Sequence, residues 1–363
     1  MKTSFAVYSA LAILPLALLS LLTGIVGGWY RLGWYIPISD SAGHHGLIMV
    51  GSFFGTLILL EKTAVLPQKK VLLLPFVNGL SLVFFLAGYP SSAMLCLLVG
   101  ATSLIGVCFY FAQKYPSDHA TLQLAGSLLL AAGHLLLSLK WLYPLAVPYW
   151  IGFLLCTITS ERLELTKFLP VRVFQKNLLW AALAILFIGI LAPFHIWGQS
   201  ILAIGMAGIG LWLLKYDMVT IAIRKSGIHR YSGILLGTGY IWLVISGILT
   251  GLATDIPFYY DALLHTFFVG FVFNMIFAHA PIILPSVLGW IVKLYSPVLY
   301  IWAIFLQVSL IVRIMADING WISWRLSAGM INGITIIGFF LTILVLSIQT
   351  RSRIRKSLTV TRG

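Results

Sequence analysis

Residues 261–285, DALLHTFFVGFVFNMIFAHAPIILP, are apolar enough to span a bilayer and carry two histidines, His265 and His279, 14 residues apart. At about 100° per residue an α-helix brings them within roughly 40° of one face and ~21 Å apart along its axis. An ionisable side chain inside a membrane is a functional hypothesis by default. Two imidazoles on one stripe, near opposite surfaces, suit a helix that holds metal centres at two depths. The plainer reading is that each hydrogen-bonds a neighbouring helix.

The whole chain sets the setting for those imidazoles. It has 363 residues, 60% hydrophobic and 9% charged, with a mean hydropathy of +1.03, which is the composition of an integral membrane protein. A net charge of +14 would also suit a nucleic-acid partner. The charges, however, sit in short loops and near the C-terminus, so nucleic acid is excluded and the lipid bilayer is the partner. Cys96, Cys108 and Cys156 lie in apolar runs without CxxC spacing and read as core residues.

Twelve apolar spans can be counted, at about 6–27, 44–60, 71–88, 92–112, 119–139, 141–158, 178–194, 199–214, 231–252, 262–284, 294–312 and 326–348. The first ends GGWYRLGWY with no small-residue cleavage site and reads as a retained helix with an aromatic belt. With both termini inside, the inner side collects 19 of the 23 basic residues and the outer side only Arg31, Lys140, Arg313 and Arg325. That asymmetry gives an all-α bundle of 12 helices in the cytoplasmic membrane, N-in and C-in. Residues 1–363 form one domain, with possible halves 1–158 and 178–363. Between them SERLELTKFLPVR, within 159–177, reads as an amphipathic interfacial helix. No phosphate-cradling glycine loop suggests an ATP-driven motor.

Orientation sorts the eight histidines into an outer cluster (His44, His45, His134, His195, His265) and an inner one (His119, His229, His279). Imidazoles gathered at two depths suggest b-type haem or copper. All nine carboxylates fall at or beyond span ends, which argues against a proton-pumping oxidase.

Residues 235–253, LLGTGYIWLVISGILTGLA, and 263–277, LLHTFFVGFVFNMIF, resemble the ninth and tenth helices of the NnrS family, twelve-helix haem- and copper-containing membrane proteins linked to nitric oxide metabolism. SLIVRIMADI, at 309–318, is similar to the family's eleventh helix. His45 followed by Leu47, Met49 and Gly51 resembles its second helix, and equally the haem-ligand helix of haem–copper oxidases. Gly237 stands where the family has a ninth-helix histidine, AHAPIILP replaces the Gly-His-x-Gly run, and HHGLIM replaces His-x-His-Glu-Met. The resemblance therefore implies haem more than copper, with nitric oxide, dioxygen or a redox partner as the expected counterpart. Whether the chain is an enzyme is left open.

These lines together point to a b-type haem near the outer surface, with His45 and His265 as axial ligands. Arg313 and Arg325 would meet the propionates, and Gly46, Gly51 and Gly270 would let the macrocycle approach the helices. His44 would face a second metal or take the ligand role itself. A second reading is a dihaem electron carrier, with His134 opposite His265 and His119 (or His229) opposite His279. A third is a metal-free permease whose polar path is lined by Asn78, Gln123, Asn274 and Gln307. The charge count makes its own prediction: a topology reporter fused after Gly363 reads as cytoplasmic, and periplasmic activity there would invert every depth assigned above.

Overall fold

The computed structural model describes residues 2–37, 43–252, 256–287 and 294–360, with side chains over 13–37, 43–193, 196–252, 256–287 and 294–350. Every regular element among them is helical, with no strand. Twelve helices are long and apolar enough to cross a membrane, as the hydropathy pattern requires. They are α1 (Lys2–Leu32), α2 (His45–Ala64), α3 (Lys69–Leu86), α4 (Pro90–Lys114), α5 (Asp118–Lys140), α6 (Tyr143–Phe168), α7 (Val173–Leu191), α8 (Ile196–Tyr216), α9 (Gly227–Leu252), α10 (Tyr259–Pro285), α11 (Leu299–Asn319) and α12 (Ile322–Val360). The protein is a multi-pass membrane protein. Helices are the expected solution, because lipid offers no partner for an open backbone.

The connection expected to hold a separate interfacial helix does not. SERLEL continues α6 without a break, and only Thr166–Phe168 tightens into a 3₁₀ turn. Arg162 explains the difference. It is buried, not interfacial, and grips Asp217 with Nη2 at 3.0 and 3.2 Å from the two carboxylate oxygens. A charge pair of that kind draws the helix end into the protein instead of onto the lipid surface.

The helices gather into two compact units. The first comprises Met1–Met218 with Leu243–Ala253, and the second Val219–Trp242 with Thr254–Gly363. The division thus comes after α8 and again within α9, and not at the 159–177 connection. In the first unit consecutive helices pack as antiparallel pairs, α5 on α6 and α7 on α8. Lipid tails are as apolar as leucine, so close packing and hydrogen bonds hold such pairs together. At the α7–α8 contact a Cβ on Gly205 would stand 2.7 Å from the Leu186 Cα, and one on Gly189 would run into the Leu202 backbone. The Trp212 indole of α8 donates to the Gln175 carbonyl of α7 at 2.6 Å. In the second unit α11 and α12 are joined by Trp302 donating to Thr342 (2.8 Å) and Asn332 donating to Ser309 (2.6 Å).

Besides the short π-helical turn Phe194–Gly198 that leads into α8, two helices carry an eight-residue stretch wound differently. In α2 the segment Ile48–Gly55 is π-helical, and in α10 so is Thr266–Phe273. Each follows closely on a histidine, and in each a glycine carbonyl accepts from an asparagine amide. Asn78 of α3 donates to Gly51 at 3.0 Å, and Asn274 donates to Gly270. An i→i+5 turn consumes one residue more than an α-turn and delays every later side chain by about 100°. His279 is therefore roughly 140° round the helix from His265, and the shared stripe expected from a uniform 3.6-residue period is absent. Burial agrees: Val269 and Val272 are buried, whereas Ile276 and His279 are only half-buried.

The glycine contacts are directly testable. Gly205→Ala should lower the thermal midpoint in detergent, by about 1–2 kcal/mol of overpacking. Gly106→Ala, where an added Cβ meets nothing within 4 Å, should be neutral or slightly stabilising. Equal behaviour of the two variants would refute the close α7–α8 contact.

Candidate functional site

The densest set of ionisable side chains in the second unit is built on the first turn of α10. Asp261 and His265 are four residues apart, so both stand on one helix face. The His265 Nδ1 lies 2.8 Å from the Asp261 carbonyl oxygen and 3.1 Å from its Oδ1. From α11, the Arg313 Nη2 donates to both Asp261 oxygens at 3.2 and 3.1 Å. From α12, Arg325 donates to Asp261 Oδ2 through Nη2 at 3.0 Å and Nε at 3.2 Å, and through Nε to Asp317 at 2.9 Å. The Arg325 guanidinium also sits 4.3 Å from the Phe258 ring centroid, and the Phe258 N–H donates to the Asp317 carbonyl. Gly320, at φ 72°, closes α11 in the left-handed conformation and turns the chain tightly into α12.

Charge balance explains how this cluster is tolerated. Two carboxylates face two guanidinia, with side-chain exposures of 20% for Asp261, 0% for Asp317, 7% for Arg313 and 16% for Arg325. Buried charges persist only when paired and hydrogen-bonded. Arg313 and Arg325 are therefore already committed to Asp261 and Asp317, and do not stand open for propionates as the sequence suggested. Two atoms of the cluster, Arg313 Nε and Asp317 Oδ2, are buried with no hydrogen-bond partner among the described residues.

The remaining histidines differ in their tautomers, because carbonyls only accept and indole N–H groups only donate. His45 Nδ1 meets the Gly24 carbonyl at 2.5 Å, and its ring lies so close to Gly28 of α1 that a Cβ there would be 3.0 Å from Cε1. His279 Nδ1 meets the Met275 carbonyl at 2.7 Å. In His45, His265 and His279 the proton is thus on Nδ1, and Nε2 keeps the lone pair that a metal requires. His134 is the reverse. It is buried, and the Trp150 indole donates to its Nδ1 at 3.1 Å, which puts the ring proton on Nε2. His119 directs Nδ1 to the Ser160 carbonyl at 2.9 Å, and its Nε2 is 3.5 Å from Glu164. His44 pairs with the Tyr143 hydroxyl at 3.2 Å and lies tilted against Phe85 with ring centroids 5.1 Å apart. His229 is exposed, and the His195 side chain lies outside the described residues.

The glycines expected to admit a macrocycle are filled by protein. A Cβ on Gly270 would strike the Trp242 ring at 2.7 Å, and one on Gly51 would strike Leu97 at 2.8 Å and His134 Nε2 at 3.2 Å. Gly46 faces Tyr143 and Trp150 in ordinary contact. The amides proposed for a polar path are also engaged. Gln307 donates to Asn274 at 2.9 Å and accepts from the Trp242 indole at 2.7 Å, while Asn78 bonds Gly51 and Thr56. Gln123 Nε2 alone of these is buried without a partner among the described residues. No group of three His, Cys, Asp or Glu side chains converges as a metal site among the described residues.

His45 belongs to the first unit and His265 to the second. The residues of this cluster that sequence reasoning passed over are Asp261 and Asp317, set aside as span-end carboxylates. The signal for Asp261 was its four-residue spacing from His265. Trp150 and the Gly24 carbonyl carried no signal, because only packing brings them to their histidines. A family model described as "Domain of unknown function (DUF8744)" matches residues 10–348, so the chain belongs to that family. No curated protein matches it.

Removing the central carboxylate should cost the most. Asp261→Ala leaves two arginines facing one aspartate and should destabilise the protein by about 3 kcal/mol, at the lower end for orphaning a buried charge. Glu164→Ala, which breaks only pairs at a half-exposed side chain, should change the melting midpoint by less than about 1 kcal/mol. Similar midpoints for the two variants would contradict the hub role of Asp261.

Proposed function

We propose that this member of the family is a haem-binding, multi-pass protein of the cytoplasmic membrane, with its termini on the cytoplasmic side. The haem is b-type and imidazole-ligated, with His265 and His45 each a candidate ligand. One observation carries the reading. Both rings give the Nδ1 proton to a backbone carbonyl and so keep Nε2 as a lone-pair donor, the arrangement typical of metal-ligating histidines. The likeness of 235–253, 263–277 and 309–318 to the NnrS family supports the same reading. It also suggests the physiological setting: nitric oxide or respiratory redox chemistry, with nitric oxide, dioxygen or a redox protein as partner.

The fit of the residues is partial, and it shapes the proposal. The ligand nitrogens suit an iron. The arginines and glycines first expected around the macrocycle are occupied, so its edges must meet other groups. Haem, when bound, would supply one-electron exchange. The protein's own part is to fix the imidazole tautomers, to exclude water with apolar walls, and to hold the charge near His265 constant. Copper is not required by this reading. The dihaem alternative is weakened by His134, whose tautomer is set against ligation by Trp150.

The reading is tested by a reduced-minus-oxidised spectrum of membranes containing the overexpressed chain, with haem quantified per protein. A b-type band is expected in the parent. His265→Ala should abolish it, or nearly so, with the protein still present in the membrane, while the exposed His229→Ala should retain it. A parent without the band, or equal loss in both variants, would overturn the assignment.

A further inference from the structure

We propose that the second unit has a built site for one ordered water molecule, held between Arg313 Nε and Asp317 Oδ2, where it closes a ring of four charged side chains. The site needs no cofactor and stands independently of the haem reading. Three sides of the ring are direct. Arg313 Nη2 donates to both oxygens of Asp261 at 3.2 and 3.1 Å. Arg325 Nη2 donates to Asp261 Oδ2 at 3.0 Å, and Arg325 Nε donates to Asp317 Oδ1 at 2.9 Å. The fourth side, from Asp317 back to Arg313, is the one that no direct hydrogen bond makes among the described residues.

The unpartnered atoms of the cluster belong to the two residues that this side would join. Arg313 is only 6% exposed and Asp317 is fully buried. The Nε of the first and the Oδ2 of the second are buried without a hydrogen-bond partner among the described residues. The two residues are four positions apart on α11, so their side chains leave one face of one helix as neighbours. A charged donor or acceptor left unmade in a protein interior is costly, and buried water is the usual way such groups are satisfied.

The chemistry of the two atoms selects the ligand. The Arg313 Nε–H only donates, so the bridging species must accept. The Asp317 carboxylate only accepts, so the same species must donate. An anion would satisfy the arginine and be repelled by the aspartate; a metal cation would do the reverse. A neutral molecule with a lone pair and an O–H serves both, and water is the smallest of these, which suits a site enclosed by buried side chains. Its neutrality also keeps the balance of the ring, in which two carboxylates already face two guanidinia. The water would hold the Arg313 guanidinium at Nε as well as at Nη2, and give Asp317 a partner at each oxygen.

The test uses the full chain in lipid bilayers and proton-detected solid-state NMR, which reads magnetisation passing from water to each arginine Nε–H. Arg313 should give a water cross-peak several-fold stronger than that of Arg162, which is as buried but donates through Nε directly to Asp217. Arg325, whose Nε donates directly to both aspartates of the same ring, should behave like Arg162. Arg313→Lys keeps the cation and removes Nε, so it identifies the peak by its loss. A cross-peak at Arg313 no stronger than that at Arg162 overturns the proposal. If Arg313→Lys fails to accumulate, an experimental density map of the parent chain, fine enough to show ordered water, decides. A peak within hydrogen-bond distance of both Arg313 Nε and Asp317 Oδ2 is expected. A direct Arg313–Asp317 bond, or no peak between the two atoms, overturns it.

Discussion

A carboxylate can stay between apolar helices only if cations reach it. Asp261 meets that condition through Arg313 and Arg325, which arrive from two other helices. The requirement fixes more than one contact. It sets the register of α10 against α11 and α12, because a guanidinium must end within hydrogen-bond distance of a carboxylate placed one turn into α10. It also accounts for the tight Gly320 turn, which returns α12 at the level where Arg325 can serve both Asp261 and Asp317. Polar groups of this sort supply specificity that leucine-on-lipid contacts do not.

The two eight-residue π-helical segments form a second organising feature. One lies in each unit, each begins shortly after a histidine, and each has a glycine carbonyl bonded to an asparagine amide. A wide turn is rare and appears mostly as a bulge inside an α-helix, frequently at functional sites. Here it re-aims the rest of its helix, and the faces presented after Phe273 and Gly55 differ from those a uniform helix would present. The side chains that fill the adjoining glycine gaps, Trp242 against Gly270 and Leu97 against Gly51, show that the space is used for protein packing.

Histidine chemistry in this protein is decided by partners rather than by position. His134 is the most buried of the histidines whose side chains are described, yet Trp150 reserves its Nδ1 lone pair. His45 and His265 are less buried and are held by carbonyls in the complementary tautomer. Burial alone would have ranked these residues the other way. The exposed His229 has no comparable constraint among the contacts described.

The sequence by itself determined the class, the number of spans and their approximate limits, because hydropathy and helix length are local properties that lipid enforces one segment at a time. It also singled out His265, His45, Arg313 and Arg325, since charged or imidazole side chains in such a chain are few. It did not determine what those residues meet. The pairing of both arginines with Asp261, the Trp150 bond that fixes His134, and the burial of Arg162 against Asp217 all join residues at least 16 positions apart. The change of helical period within α2 and α10 was equally illegible. A π turn is selected by what packs on either side of it, and a reading at 100° per residue carries every later side chain onto the wrong face. Tertiary structure decided these points because each depends on a partner that chain order does not place nearby.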